Sequence, residues 1–170
     1  MPAMIACLCR AVIVALALAA PRAMACDSGM TPLFGCEAGK RKFIELCAPF
    51  PIDALVYRFG SVDDNGEEEK LDLEYPRDVA GSLGRFFGAT YTHKGVYTQS
   101  IRFASGNFDY TVFTRDRGSE VLDAGVRVRD RKADKASTVL CTEMPRFYIY
   151  ELKGLVACDA QTPVGTACIK

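Results

Sequence analysis

The chain has 170 residues, with 21 basic and 21 acidic side chains, so its formal net charge at pH 7 is zero. Proteins that bind nucleic acid through its phosphates usually carry a dense excess of basic residues, so this balance argues against that class. After residue 25 no apolar run approaches the roughly 20 residues of a membrane span, and we expect no transmembrane segment in the mature chain.

The first 25 residues have the pattern of a secretory signal peptide. Arg10 precedes an apolar run over residues 11–20, and Ala23, Met24 and Ala25 form a small-residue cleavage site. Cleavage after Ala25 leaves residues 26–170, which we expect to form a single β domain in the periplasm or outside the cell. A cysteine directly after the cleavage site can be lipidated in bacteria, so a lipid anchor on Cys26 is the alternative. It is less favoured, because lipoprotein signals usually have leucine three residues before this cysteine, where this chain has Ala23.

Six cysteines follow the cleavage site, an even number that predicts disulfides in an oxidising compartment. A tight turn at Gly39 places Cys36 opposite Phe43, too far along the hairpin from Cys47 for a bond. Either the turn is wider than this, or Cys36 and Cys47 have other partners. The compact segment between Cys141 and Cys158 favours that pair, and we expect Cys168 to hold the C-terminal tail to Cys26 or Cys158. The six predicted disulfide cysteines are Cys26, Cys36, Cys47, Cys141, Cys158 and Cys168.

Alternation of apolar and polar residues dominates the mature sequence, which is typical of half-buried antiparallel strands. The alternating runs cover residues 55–59, 71–75, 96–104, 108–112 and 122–128. Glycine-containing turns at residues 93–95, 105–107 and 116–119 separate consecutive runs. The sequence therefore predicts a mainly β fold. We expect a single antiparallel meander of about eight strands, a flattened barrel or sandwich with one or two short helical turns, stapled by disulfides.

Residues with potential chemistry do not form a catalytic or metal-binding pattern. His93 is the only histidine and falls in a predicted turn beside Lys94. The acidic residues 63–72 have spacings that resemble a calcium loop, but Ser61 occupies the first position, where aspartate is the rule. A solvated hairpin loop explains these charges, so we predict no cofactor and no bound metal.

Arg127 and Arg129 lie on the outward face of a predicted strand. A charged face that keeps a sheet soluble accounts for this spacing. The alternative is an electrostatic contact surface for an acidic partner.

Several segments resemble a family of small exported, disulfide-containing bacterial β proteins that is functionally uncharacterised. They are residues 33–36, 57–60, 71–76, 110–127 and 155–159, together with Cys47 and Cys141. The Ser105–Gly106 dipeptide, which precedes an aromatic strand with Tyr110, is also similar to the inhibitory loop of periplasmic lysozyme inhibitors. That similarity implies that Ser105 and Tyr110 contact a protein partner.

The expected function is therefore that of a non-enzymatic domain that binds a protein partner in the cell envelope, as an inhibitor or immunity factor does. Exposed loops on a rigid scaffold are suited to such contacts. The alternative is a barrel that binds a small ligand or glycan in an apolar interior cavity. A hydrolase is the least favoured reading, because it would depend on His93 or on an unidentified pair of carboxylates.

Overall fold

The computed structural model describes residues 26–64 and 68–170, so the predicted signal peptide and residues 65–67 of the acidic stretch lie outside the described residues. The described residues form twelve strands and two 3-10 turns, Ser82–Arg85 and Ile149–Leu152. In chain order the strands are β1 (Met30–Ala38), β2 (Lys42–Pro49), β3 (Val56–Val62), β4 (Glu68–Tyr75), β5 (Phe87–His93), β6 (Val96–Ser105), β7 (Phe108–Arg117), β8 (Glu120–Asp130), β9 (Lys135–Leu140), β10 (Arg146–Phe147), β11 (Ala157–Thr162) and β12 (Gly165–Ala167).

The strands form two sheets. The smaller has the order β10-β1-β2-β3-β4, and the larger has the order β12-β11-β5-β6-β7-β8-β9. Strands β5 to β9 pair antiparallel in chain order and are connected by short turns. The first three of these turns lie at the predicted positions. Strand β11 instead runs parallel to β5, and so the end of the chain returns to the far side of the larger sheet.

Aromatic rings fill the space between the two sheets. Phe103 of β6 stacks on Tyr75 of β4 at 4.7 Å and on Tyr110 of β7 at 4.9 Å between ring centroids. Tyr57 and Phe86 pack against the same ring, and both are buried. Because each buried ring removes about 150–250 Å² from water, this stack is a large part of what holds the sheets together.

The structure corrects the predicted architecture in three respects. The described residues form twelve strands rather than about eight, a single meander does not account for their two sheets, and neither of these sheets closes into a barrel. The missed strands β9, β11 and β12 are mostly exposed on both faces, so their sequences lack apolar alternation. The mainly β class and the short helical turns are confirmed.

Three disulfides join the six predicted cysteines, as Cys26–Cys47, Cys36–Cys141 and Cys158–Cys168. The favoured pair of Cys141 with Cys158 is therefore wrong. Cys141 follows β9 and forms an isolated backbone β-bridge with Ala38 of β1. Cys158 lies on β11, and four strands of the larger sheet separate β11 from β9. Cys36 lies opposite Ile44, one residue from the predicted register, and it does not bond to Cys47.

Candidate functional site

A groove of about 710 Å³ crosses the face of the larger sheet that points away from the aromatic core. We call it the sheet groove. Strands β5 to β9 and the turn between β11 and β12 contribute its lining, namely Tyr91, His93, Lys94, Val96, Thr98, Ser100, Thr111, Phe113, Arg115, Asp123, Arg127, Ala136, Thr138, Leu140 and Pro163. These residues alternate along their strands with core residues such as Ile101 and Val112, because successive side chains point to opposite faces.

The floor of the sheet groove is sheltered although it belongs to an outer face. Thr98, Ser100 and Phe113 are all buried, and Ser100 lies directly opposite Phe113 in the register of β6 and β7. Two hydroxyl groups that donate and accept hydrogen bonds therefore lie beside an aromatic ring. Such a floor can bind an extended polar chain that also carries some apolar surface.

The cations around this floor are compensated unequally. Arg115 donates hydrogen bonds to Asp123, which raise its pKa despite the opposing effect of burial. Neither Lys94 nor Arg127 has an ion pair with any residue in the described part of the chain, and both are exposed. His93, at the end of β5, is also exposed beside Lys94. The groove therefore presents two uncompensated positive charges to an incoming ligand.

The predicted residue Arg127 lines the sheet groove, and the predicted residue Arg129 lies one outward position further along β8. Both side chains are exposed, as expected for this face of the strand. Arg129, however, donates a hydrogen bond to Asp134 at 2.6 Å, and this contact raises its pKa. Arg127 is consequently the one of the two that remains available to bind a carboxylate.

Ser105 and Tyr110 belong to the opposite face of the same sheet. Ser105 ends β6 and lines a separate groove of about 740 Å³ along β4, together with Asp72, Arg77 and Arg85. Tyr110 is half-buried in the aromatic stack, and burial raises the pKa of its hydroxyl. The structure therefore does not bring Ser105 and Tyr110 together with Arg127 and Arg129 in one site.

The outer face of the smaller sheet carries a polar cluster that the sequence did not reveal. Arg58 of β3 is buried, and its guanidinium approaches carboxylate oxygens of four residues. These are Glu68 at 2.6 Å, Glu45 at 3.3 Å, Glu74 at 3.7 Å and Asp27 at 3.8 Å. We call this group the Arg58 cluster.

Burial and charge act in opposite directions within the Arg58 cluster. Burial raises the pKa of Glu45, and the attraction of Arg58 offsets this only in part. Burial disfavours the Arg58 cation, but the surrounding carboxylates outweigh that effect and raise its pKa. The guanidinium is thus held charged inside the protein by its own carboxylates, so the cluster is an internal structural contact rather than a binding surface.

Cys26 is bonded through its sulfur to Cys47, and it is buried near the Arg58 cluster. A lipid anchor would need the same sulfur atom for its thioether bond. The Cys26–Cys47 disulfide and lipidation at Cys26 are therefore mutually exclusive.

No family model, curated protein or solved structure matches the chain. The resemblances to an exported β family and to lysozyme inhibitors accordingly stay predictions. No helix within the described ranges is long and apolar enough to cross a membrane. The three disulfides indicate a non-reducing environment outside the cytoplasm.

Proposed function

We propose that this protein is a non-enzymatic binding domain of the cell envelope, and that it binds an acidic segment of a protein partner in the sheet groove. The observation that carries the proposal is the pair of uncompensated cations, Lys94 and Arg127, beside a sheltered floor of hydroxyl groups. Charges that lack an internal partner attract a complementary charge and orient the approaching molecule. A protein of the inhibitor or immunity type needs only such a surface.

The proposed location follows from the disulfides together with the sequence of residues 1–25. Disulfides persist where the surroundings are oxidising, and a cleaved signal peptide would direct the chain to the periplasm or the exterior. An acidic partner in the same compartment is therefore the expected target.

An anionic glycan is the second candidate for the same groove. The half-buried Tyr91 offers aromatic surface on the same side of the sheet as Thr98 and Ser100, a combination that binds sugar rings as well as peptide. A ligand cavity inside a barrel does not fit this fold, because the strands of the described residues form no closed barrel and aromatic rings occupy the space between the two sheets.

Binding of a labelled hexapeptide of alternating glutamate and valine tests the proposal by fluorescence anisotropy. We expect Arg127→Glu to weaken binding at least about tenfold, which corresponds to roughly 1.4 kcal/mol. Lys153→Glu is the matched control, because Lys153 is exposed outside the groove and the charge change is the same. Equal weakening by both variants would show that only net charge matters and would overturn the proposal.

The narrower proposal of lysozyme inhibition depends on Ser105, which lines the groove along β4. Ser105→Arg would place a long cationic side chain in that groove. If the protein inhibits lysozyme through this residue, the variant restores lysis in a turbidity assay. Unchanged inhibition by the variant, or no inhibition by the parent protein, contradicts that version.

A further inference from the structure

The two sheets end in edge strands of very different chemistry. Strand β4 ends the smaller sheet, and five of its eight residues are charged. Strand β9 ends the larger sheet, and after Lys135 it has no charged residue through Leu140. Natural sheets usually protect an exposed edge with charges, prolines or bulges, because its free N–H and C=O groups can pair with another chain. Charges protect β4, and none protects β9 beyond its first residue.

The open edge of β9 is also exposed to solvent. Residues 135–138 are exposed, and Leu140 keeps 47% of its surface in water. Along residues 135–140 no strand in the described part of the chain pairs with the side of β9 that faces away from β8. Directly after β9 the open edge ends at β1, where Cys141 forms an isolated β-bridge with Ala38 and the Thr142 N–H donates a hydrogen bond to the carbonyl oxygen of Glu37. The edge therefore offers both unpaired backbone groups and apolar surface.

This edge is continuous with the sheet groove. Ala136, Thr138 and Leu140 line the groove, and Thr138 lies directly opposite Arg127 in the register of β8 and β9. Neighbouring strands lie about 4.8 Å apart, so a strand added beyond β9 would lie roughly 10 Å from β8. The long side chains of arginine and glutamate can span that separation across the small Ala136 and Thr138.

We propose that the partner segment is extended and adds to β9 as an eighth strand of the larger sheet, with acidic side chains at alternate positions turned toward Arg127. This inference rests on the proposed binding of an acidic segment and specifies its conformation. Backbone hydrogen bonds to β9 supply affinity, and the alternate carboxylates supply selectivity. Charge complementarity favours this occupant over a second copy of the chain, because pairing of two β9 edges would bring the Arg127 side chains of both molecules toward the same interface.

Two singly N-methylated forms of the glutamate–valine hexapeptide test this geometry. The N–H groups of adjacent residues in a strand point to opposite sides, so only one of two neighbouring methylation sites faces β9. We expect one methylated peptide to lose binding at least about tenfold and the other to stay within about twofold of the parent. Equal affinity of the two methylated peptides would overturn strand addition while leaving the acidic groove intact.

Failure of the proposed function gives a different result, because the unmethylated peptide would then show no dependence on Arg127. Amide hydrogen exchange supplies an independent readout on the whole protein. We expect alternate amides of β9 to gain protection when the parent peptide is added. Protection that instead rises with protein concentration alone would assign this edge to a second copy and overturn the proposal.

Discussion

The outer faces of the two sheets both carry arginine, but they use it in opposite ways. On the smaller sheet Arg58 is buried among four carboxylate residues beneath a disulfide-linked segment. On the larger sheet Arg127 is exposed beside a sheltered polar floor and has no ion pair with a described residue. The presence or absence of surrounding carboxylates therefore distinguishes the structural Arg58 from Arg127, which is available for binding.

The difference predicts that stability and binding respond to separate substitutions. A buried charge that loses its partner is costly, whereas an exposed charge without a partner contributes little to folding. Substitutions in the Arg58 cluster should unfold the protein more easily and leave peptide affinity unchanged. Substitution of Arg127 or Lys94 in the sheet groove should instead weaken peptide binding and leave the free energy of unfolding nearly unchanged.

The largest effect is expected for Arg58→Met, which leaves Glu45 buried without its cation. We expect a loss of about 3–5 kcal/mol in the free energy of unfolding, measured with urea. The double variant Arg58→Met/Glu45→Met removes both buried charges and should recover a large part of this loss. A loss below about 1 kcal/mol in the single variant would mean that solvent screens the cluster as it screens surface pairs.

Removal of the Cys26–Cys47 disulfide is expected to have the next largest effect. Its partners are 21 residues apart, and the loss of loop constraint predicts about 3 kcal/mol by chain entropy. Peptide affinity should not change. The matched variant lacks Cys158–Cys168, which spans only 10 residues, so the stability loss should be smaller. The variant without Cys158–Cys168 should bind the peptide more weakly, because the turn that contains Pro163 forms part of the sheet groove.

A smaller, pH-dependent change in the free energy of unfolding is expected for Glu45→Gln. Burial raises the pKa of Glu45 in the folded state above its ordinary value of 4.5, so ionisation of this carboxyl costs the folded state free energy. The parent protein therefore loses stability as the pH rises from 4.5 through the pKa that Glu45 has in the folded state. The stability of Glu45→Gln relative to the parent should rise between pH 4 and pH 7 in urea unfolding. A relative stability that falls over this interval would contradict the assignment.

The smallest effect on stability is expected for Arg127→Ala. We expect a change within about 0.5 kcal/mol, because the side chain is exposed and has no ion pair within the described residues. Arg115→Ala is the comparison variant, since it breaks the contact with Asp123 and should cost up to about 1 kcal/mol. Thermal unfolding of both variants checks the order. A larger loss for Arg127→Ala than for Arg115→Ala would make Arg127 a structural residue.

Strands with one buried face were predictable from the sequence, because burial imposes alternation on the apolar residues. In β8, for example, the buried Ala124 and Val126 alternate with the exposed Arg127 and Arg129 at the solvent-facing positions. The edge strands β9 and β12 and the neighbouring strand β11 contact little of the core, so no such pattern marks them. Disulfide pairing was also beyond prediction, since it depends on which strand ends the folded sheets bring together.

The candidate site was predictable only in part. The outward position of Arg127 follows from alternation, but its lack of a carboxylate partner depends on where Asp134 and Asp123 lie in three dimensions. Thr98 and Ser100 held a usable signal, because small hydroxyl residues replace charged ones at outward positions of β6. The Arg58 cluster had none, since its carboxylates come from distant parts of the chain.

The parallel pairing of β11 with β5 has a consequence for the order in which the molecule is completed. Ala157 pairs with Phe87, so synthesis delivers one partner 70 residues before the other. The hairpins from β5 to β9 need only local contacts and can form during that interval, whereas the β11 pairing must close a long loop. Pro163 directly follows β11 and lines the sheet groove. The lining of the groove is therefore complete only after β11 has been synthesised and has paired with β5. A nascent or truncated chain would fold its hairpins yet present an unfinished binding surface.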